Sequence, residues 1–94
     1  MKILGIDPGT ARIGYGLITD RPLQLITYGV IEISEKTNKK FLRLAEEFGK
    51  LINELKPDAA GMEKLYFVKN QKTGIEVAEA RGVMMYLLNG HYRI

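Results

Sequence analysis

The sequence predicts an α/β domain built on a mixed sheet. Two observations carry that prediction. Three runs rich in β-branched and aromatic residues follow one another across short Pro- and Gly-marked turns, between Lys2 and Ile33. A strongly periodic helical segment, a short apolar strand and a second helical segment come next, which is the order that lays helices against a sheet.

The first strand runs from Lys2 to Asp7 and ends at Pro8-Gly9. Pro8 lacks an N–H donor and Gly9 can adopt positive φ, so the chain must turn there. Ile13 to Thr19 forms a second strand, weakened by Gly14 and Gly16, which mark a place where another backbone or a ligand comes close. Asp20-Arg21-Pro22 turns the chain into a third strand, Leu23 to Ile33, where Gly29 marks a bulge or a close approach. Short turns make these three strands an antiparallel meander.

Thr37 or Asn38 can cap the helix that follows. Phe41, Leu44, Ala45, Phe48, Leu51, Ile52 and Leu55 recur at helical spacing, with Lys40, Arg43, Glu46, Glu47, Lys50 and Glu54 on the opposite face. Pro57 stops this helix. Asp58 to Glu63 is a fourth strand, parallel to the first through the helical crossover. A second helix runs from about Thr73 to Leu88, where Ala78 and Gly82 allow close packing, and Asn89-Gly90 ends it. Tyr92-Arg93-Ile94 opens a fifth strand. One domain is expected, with no repeat and no linker.

Composition excludes several classes. The hydrophobic fraction of 46% and charged fraction of 27% belong to a globular chain, not a disordered one. With no cysteine, a disulfide scaffold and a zinc-thiolate site are ruled out. No run approaches the roughly 20 apolar residues of a spanning helix, and the start is too short for a signal peptide, so a cytoplasmic protein is expected. The net charge of +3 permits an anionic partner without requiring one.

Two acids stand where chemistry gathers. Asp7 closes the first strand and Glu63 the fourth. In adjacent parallel strands both would leave the sheet at the carboxyl edge, where ligands of open α/β sheets bind. Two hard oxygen ligands there suit Mg²⁺, which keeps several waters and takes one or two carboxylates plus substrate phosphate. A carboxylate at a strand end also serves as a cap, a turn former or a solvated charge, and spacing alone does not separate these uses.

Gly5-Ile6-Asp7-Pro8-Gly9-Thr10 followed by Gly14-Tyr15-Gly16 resembles the opening motif of RuvC-type Holliday-junction resolvases. Met62-Glu63-Lys64-Leu65-Tyr66-Phe67-Val68-Lys69-Asn70 is similar to that family's acid-plus-aromatic segment, and Ala78 with Ala80-Arg81-Gly82-Val83 to the helix after it. The resemblance runs in order over nearly all 94 residues. It implies a ribonuclease-H-like fold and hydrolysis of phosphodiester bonds in four-way DNA junctions, with about two Mg²⁺ per site. Asp7 and Glu63 would be two of four catalytic carboxylates and metal ligands. The other two lie, in the family, on a C-terminal helix with no counterpart here, so the chain is expected to be truncated and inactive alone. Tyr66 or Phe67 would stack on a base, with Tyr66 the better suited because its hydroxyl tolerates water.

Lys69, Asn70, Lys72, Arg81 and Arg12 would meet phosphates, or else are solvated polar positions around helix starts and turns. Lys39, Lys40, Arg43 and Lys50 alternate with acids and are expected to be solvated surface. His91, alone in a turn, is assigned no catalytic role. The resemblance also implies a homodimer and a branch-migration helicase complex as partners. Met84 and Met85 either serve the dimer or belong to the domain's own core. Two alternatives share parts of the motif: an RNA-processing YqgF-type nuclease, and the N-terminal fragment of an actin-like or sugar-kinase ATPase.

Overall fold

The computed structural model describes residues 1–37, 39–63 and 71–89, with the backbone alone at 71–73. Strands β1 (Lys2–Asp7), β2 (Arg12–Asp20) and β3 (Leu23–Glu32) precede helix α1 (Lys39–Leu55), strand β4 (Ala59–Met62) and helix α2 (Gln71–Asn89). The sheet order is β3-β2-β1-β4. The meander is antiparallel, and β4 joins β1 in parallel through the α1 crossover, as the sequence predicts. Tyr92-Arg93-Ile94, read as a fifth strand, lies outside the described residues. No helix among the described residues is long and apolar enough to cross a membrane.

The side-chain alternation of the sheet decides what covers it. Leu4, Ile6, Ile13, Leu17 and Ala60 point to one face and are buried there. Leu44, Phe48, Leu51 and Ile52 from α1 close over them, with Phe48 fully buried. These are the positions whose helical spacing marked the apolar stripe. From α2 come Ala80, Met84 and Leu88, one turn apart and all fully buried.

That stripe corrects the expected packing face of α2. Ala78 and Gly82 are exposed, and a Cβ on Gly82 would meet nothing within 4 Å. They stand about 200° around the helix from Ala80, because each residue turns the helix by about 100°. Small residues permit close approach only on the face that meets a neighbour. Met84 belongs to the domain's own core. Lys40 is also not plain solvated surface: its Nζ lies 3.2 Å from Glu76 Oε2 and ties α1 to α2.

The ends of α1 follow local chemistry. Thr37 supplies the cap: its Oγ1 accepts from Lys39 N at 3.3 Å and its carbonyl from Lys40 N at 2.9 Å. At the far end Lys56 takes φ 47°, and buried Pro57 follows. The chain then returns to β1. Asp58 N donates to Lys2 O at 2.8 Å, Lys2 N donates to Asp58 Oδ2 at 2.7 Å, and Lys2 Nζ donates to Leu55 O at 2.8 Å. These bonds set the register of β4.

One glycine behaves differently from expectation and another as expected. No described glycine has positive φ, so Gly9 is not required for a left-handed turn. It is required for space: a Cβ there would sit 2.2 Å from the Arg12 carbonyl oxygen. At Gly29 the expected close approach is real, since a Cβ would lie 2.6 Å from the Tyr15 hydroxyl, while the sheet's irregularity falls at Leu17/Ile18. Gly9→Ala should therefore destabilise the chain by about 1–3 kcal/mol, because main chain cannot step aside as a rotamer can. Gly16→Ala, where nothing lies within 4 Å, is the near-neutral control. Urea unfolding of both variants checks this, and equal midpoints would contradict it.

Candidate functional site

The site grows from the parallel pairing of β1 and β4. The last paired residues are Ile6 and Met62. Glu63 N then donates to Ile6 O at 3.2 Å, which carries the ladder one residue further. Asp7 and Glu63 thus stand level at the carboxyl edge of neighbouring strands. Leu4, Ile6 and Ala60 face the core, so alternation turns both acids to the opposite face, where both are exposed.

Among the described residues that face is nearly bare around them. Gly14 pairs with Asp7, and a Cβ on it would lie 3.7 Å from Asp7 Cβ. One step below, Gly16, Gly5 and Gly61 form a row across three strands. Nothing lies within 4 Å of a Cβ on Gly16 or Gly61. The glycines of β2 were read as marking a close approach. Among the described residues no backbone fills that space, which leaves room beside the acids for a ligand.

The two carboxyls meet. Glu63 is held above the usual glutamate value, first by its hydrogen bond with Asp7, then by the Asp7 charge, then by desolvation. Two carboxyls sharing one site favour a shared proton or a bound cation. Among the described residues neither acid is paired with a cationic side chain, and no group of three or more His, Cys, Asp or Glu forms. The donor set is therefore two hard oxygen groups on an open surface. It fits a divalent cation that keeps several of its own waters.

Arg81 reaches this edge from α2. Its Nε donates to the Glu63 carbonyl at 3.3 Å and its Nη1 to Met85 Sδ at 3.3 Å. Sequence placed Arg81 among phosphate contacts and gave no sign of this bond to β4, which joins elements of different type. Arg12 opens β2 at the same edge and sits 3.7 Å from Glu32 in a mostly exposed pair. Such a pair holds the side chain weakly and leaves it available. Tyr66, Phe67, Lys69 and Asn70 lie outside the described residues, as do His91 and the side chain of Lys72.

The family model described as crossover junction endodeoxyribonuclease RuvC matches residues 3–91. A RuvC of Petrotoga mobilis is 48% identical over 92 residues, covering 94% of this chain and 56% of that protein. A RuvC of Thermosipho melanesiensis is 44% identical over 89 residues, covering 90% of this chain and 57% of that one. The chain thus spans a little over half the length of these curated relatives. The solved structure of T. thermophilus RuvC in complex with Holliday junction substrate superposes with a TM-score of 0.84 at 20% identity, covering 100% of this chain and 64% of that one. That likeness establishes the shared fold. These matches favour neither the YqgF-type nor the ATPase alternative.

Proposed function

The chain belongs to the RuvC family of crossover junction endodeoxyribonucleases, and from that premise we propose that it carries the Asp7/Glu63 part of a metal-dependent nuclease site acting on four-way DNA junctions. The observation that carries this reading is the convergence of the two acids on one open face. Asp7 would be the shared ligand and Glu63 a ligand to one of about two Mg²⁺. The bound metal supplies an activated water and neutralises charge at a scissile phosphate. The acids' own part is to hold two negative groups side by side, and the bare glycine surface admits the nucleic-acid backbone.

Around this centre, Arg12, Lys69, Asn70 and Lys72 would bind phosphates and set the register without reading sequence. Tyr66, or Phe67, would stack on an unpaired base, worth about 1–3 kcal/mol. A homodimer would present two such centres to strands of like polarity, and a branch-migration helicase is the proposed assembly partner. Amide spectra of the labelled chain titrated with Mg²⁺ test the metal site. Shifts confined to Asp7, Gly14 and Glu63 are expected, and an unchanged spectrum at millimolar Mg²⁺ would end the reading. Competition between a four-way DNA junction and structured RNA tests the substrate class.

The raised Glu63 carboxyl gives a pH prediction. Its folded value exceeds its unfolded value, so the folded chain binds the extra proton. The stabilisation is fully present below the unfolded value and is lost as pH rises through the folded one. Metal-free melting temperature should therefore fall as pH climbs upward from the ordinary glutamate range. Mg²⁺ should reverse the fall. Thermal scans across pH, with and without Mg²⁺, measure both.

A further inference from the structure

We propose that Arg81 is a positioning residue, which grips the Glu63 carbonyl from α2 and so keeps the Glu63 side chain beside Asp7. The inference rests on the metal-site reading above. β4 ends at Met62, and among the described residues Glu63 makes one ladder bond, from its N–H to Ile6 O at 3.2 Å. A residue held at its nitrogen alone can still rotate about its N–Cα bond, which swings the side chain and the carbonyl together. Arg81 Nε supplies the second hold, at the carbonyl oxygen, 3.3 Å away. With both sides of the Glu63 α-carbon tied, the direction in which its Cα–Cβ bond leaves the backbone is set.

Arg81 is itself well placed to act as an anchor. Its helix neighbour Ala80 and the next-turn Met84 are fully buried in the core. Its Nη1 rests on Met85 Sδ at 3.3 Å. The grip is therefore referred to the core through α2, on the opposite side of the sheet from the acids. Because the bond runs to a neutral carbonyl, donor position matters more than charge.

That distinction gives the test. Glutamine places its amide nitrogen at the same point along the side chain as the arginine Nε, without the charge. Lysine keeps the charge but has carbon at that point. Amide hydrogen exchange of the labelled 94-residue chain would be compared for wild type, Arg81→Leu, Arg81→Gln and Arg81→Lys. Protection at the Glu63 amide should fall about fivefold in Arg81→Leu, the loss of one ordinary hydrogen bond. Leu4 and Ala60 should keep theirs. Arg81→Gln should restore Glu63, and Arg81→Lys should not.

Paramagnetic broadening by Mn²⁺ is the second readout. Broadening at Asp7 and Glu63 should weaken in Arg81→Leu and return in Arg81→Gln. Unchanged Glu63 protection in Arg81→Leu overturns the proposal, as does a uniform loss across the sheet. Rescue by lysine in place of glutamine assigns Arg81 to a charge contact instead, and also overturns it. Equal Mn²⁺ broadening in wild type and Arg81→Leu does the same. Absence of broadening in wild type would sink the metal reading, while the exchange data would still decide whether Arg81 holds Glu63.

Discussion

Asp7→Asn should lower divalent-cation affinity by about 100-fold or more and, at the same time, raise the melting temperature of the metal-free chain at neutral pH. Both halves come from one geometry. Loss of a group that merely orients a ligand costs about 10–100-fold in metal affinity, and Asp7 is placed to be a ligand itself. Without metal, its hydrogen bond and then its charge are the main reasons the Glu63 carboxyl is raised. Removing that charge relieves the repulsion and lets Glu63 ionise freely. In wild type, Mg²⁺ at about 100 times its dissociation constant should add about 2.7 kcal/mol by mass action. Thermal scans with and without Mg²⁺ read the two effects together. An equal Mg²⁺-induced rise in wild type and Asp7→Asn would exclude Asp7 from the metal site.

The largest effect on stability is expected from Phe48→Ala, at about 3–5 kcal/mol. Phe48 is fully buried where α1 meets the sheet. Its removal forfeits the transfer of a large ring and leaves a cavity. A chain of 94 residues has roughly 5–14 kcal/mol in all, from about 0.05–0.15 kcal/mol per residue. The variant should sit near the edge of folding, with a lower urea midpoint and an unchanged slope. Phe41→Ala, at a partly buried position on the same helix, should cost less. A loss under about 1 kcal/mol for Phe48→Ala would mean the core closes over the gap.

The expectations that held share a cause. Leu44, Phe48, Leu51 and Ile52 fall on one stripe of α1 with charges opposite, so a single period named the buried face. The exposed place of Asp7 at the end of β1 was legible because an acid closing an apolar strand before Pro8-Gly9 must be exposed or used. α2 was less legible because apolar residues stand on several of its sides: Ile75 and Tyr86 are exposed while Ala80, Met84 and Leu88 are buried. Periodicity cannot choose among faces when all of them carry apolar groups. The role of Gly9 was missed because the constraint comes from a carbonyl three residues later. Gly29 was flagged without its partner, since Tyr15 meets it only once β2 and β3 are in register. Arg81 was named as a phosphate contact, without a place on the sheet. Its bond to Glu63 depends on how α2 crosses β4, which no local pattern encodes.

The pairing of β1 with β4 also sets an order in time. The meander closes over short turns, whereas β4 reaches β1 through hydrogen bonds between residues 56 positions apart. Such a distant closure costs more chain entropy and comes later in folding. The two acids are therefore apart in every partly formed state that lacks β4, and brought together only when the crossover is complete. A cation that needs both would bind the finished fold and ignore its precursors. Its arrival would slow the reopening of β4 and leave the rate of meander assembly as it was.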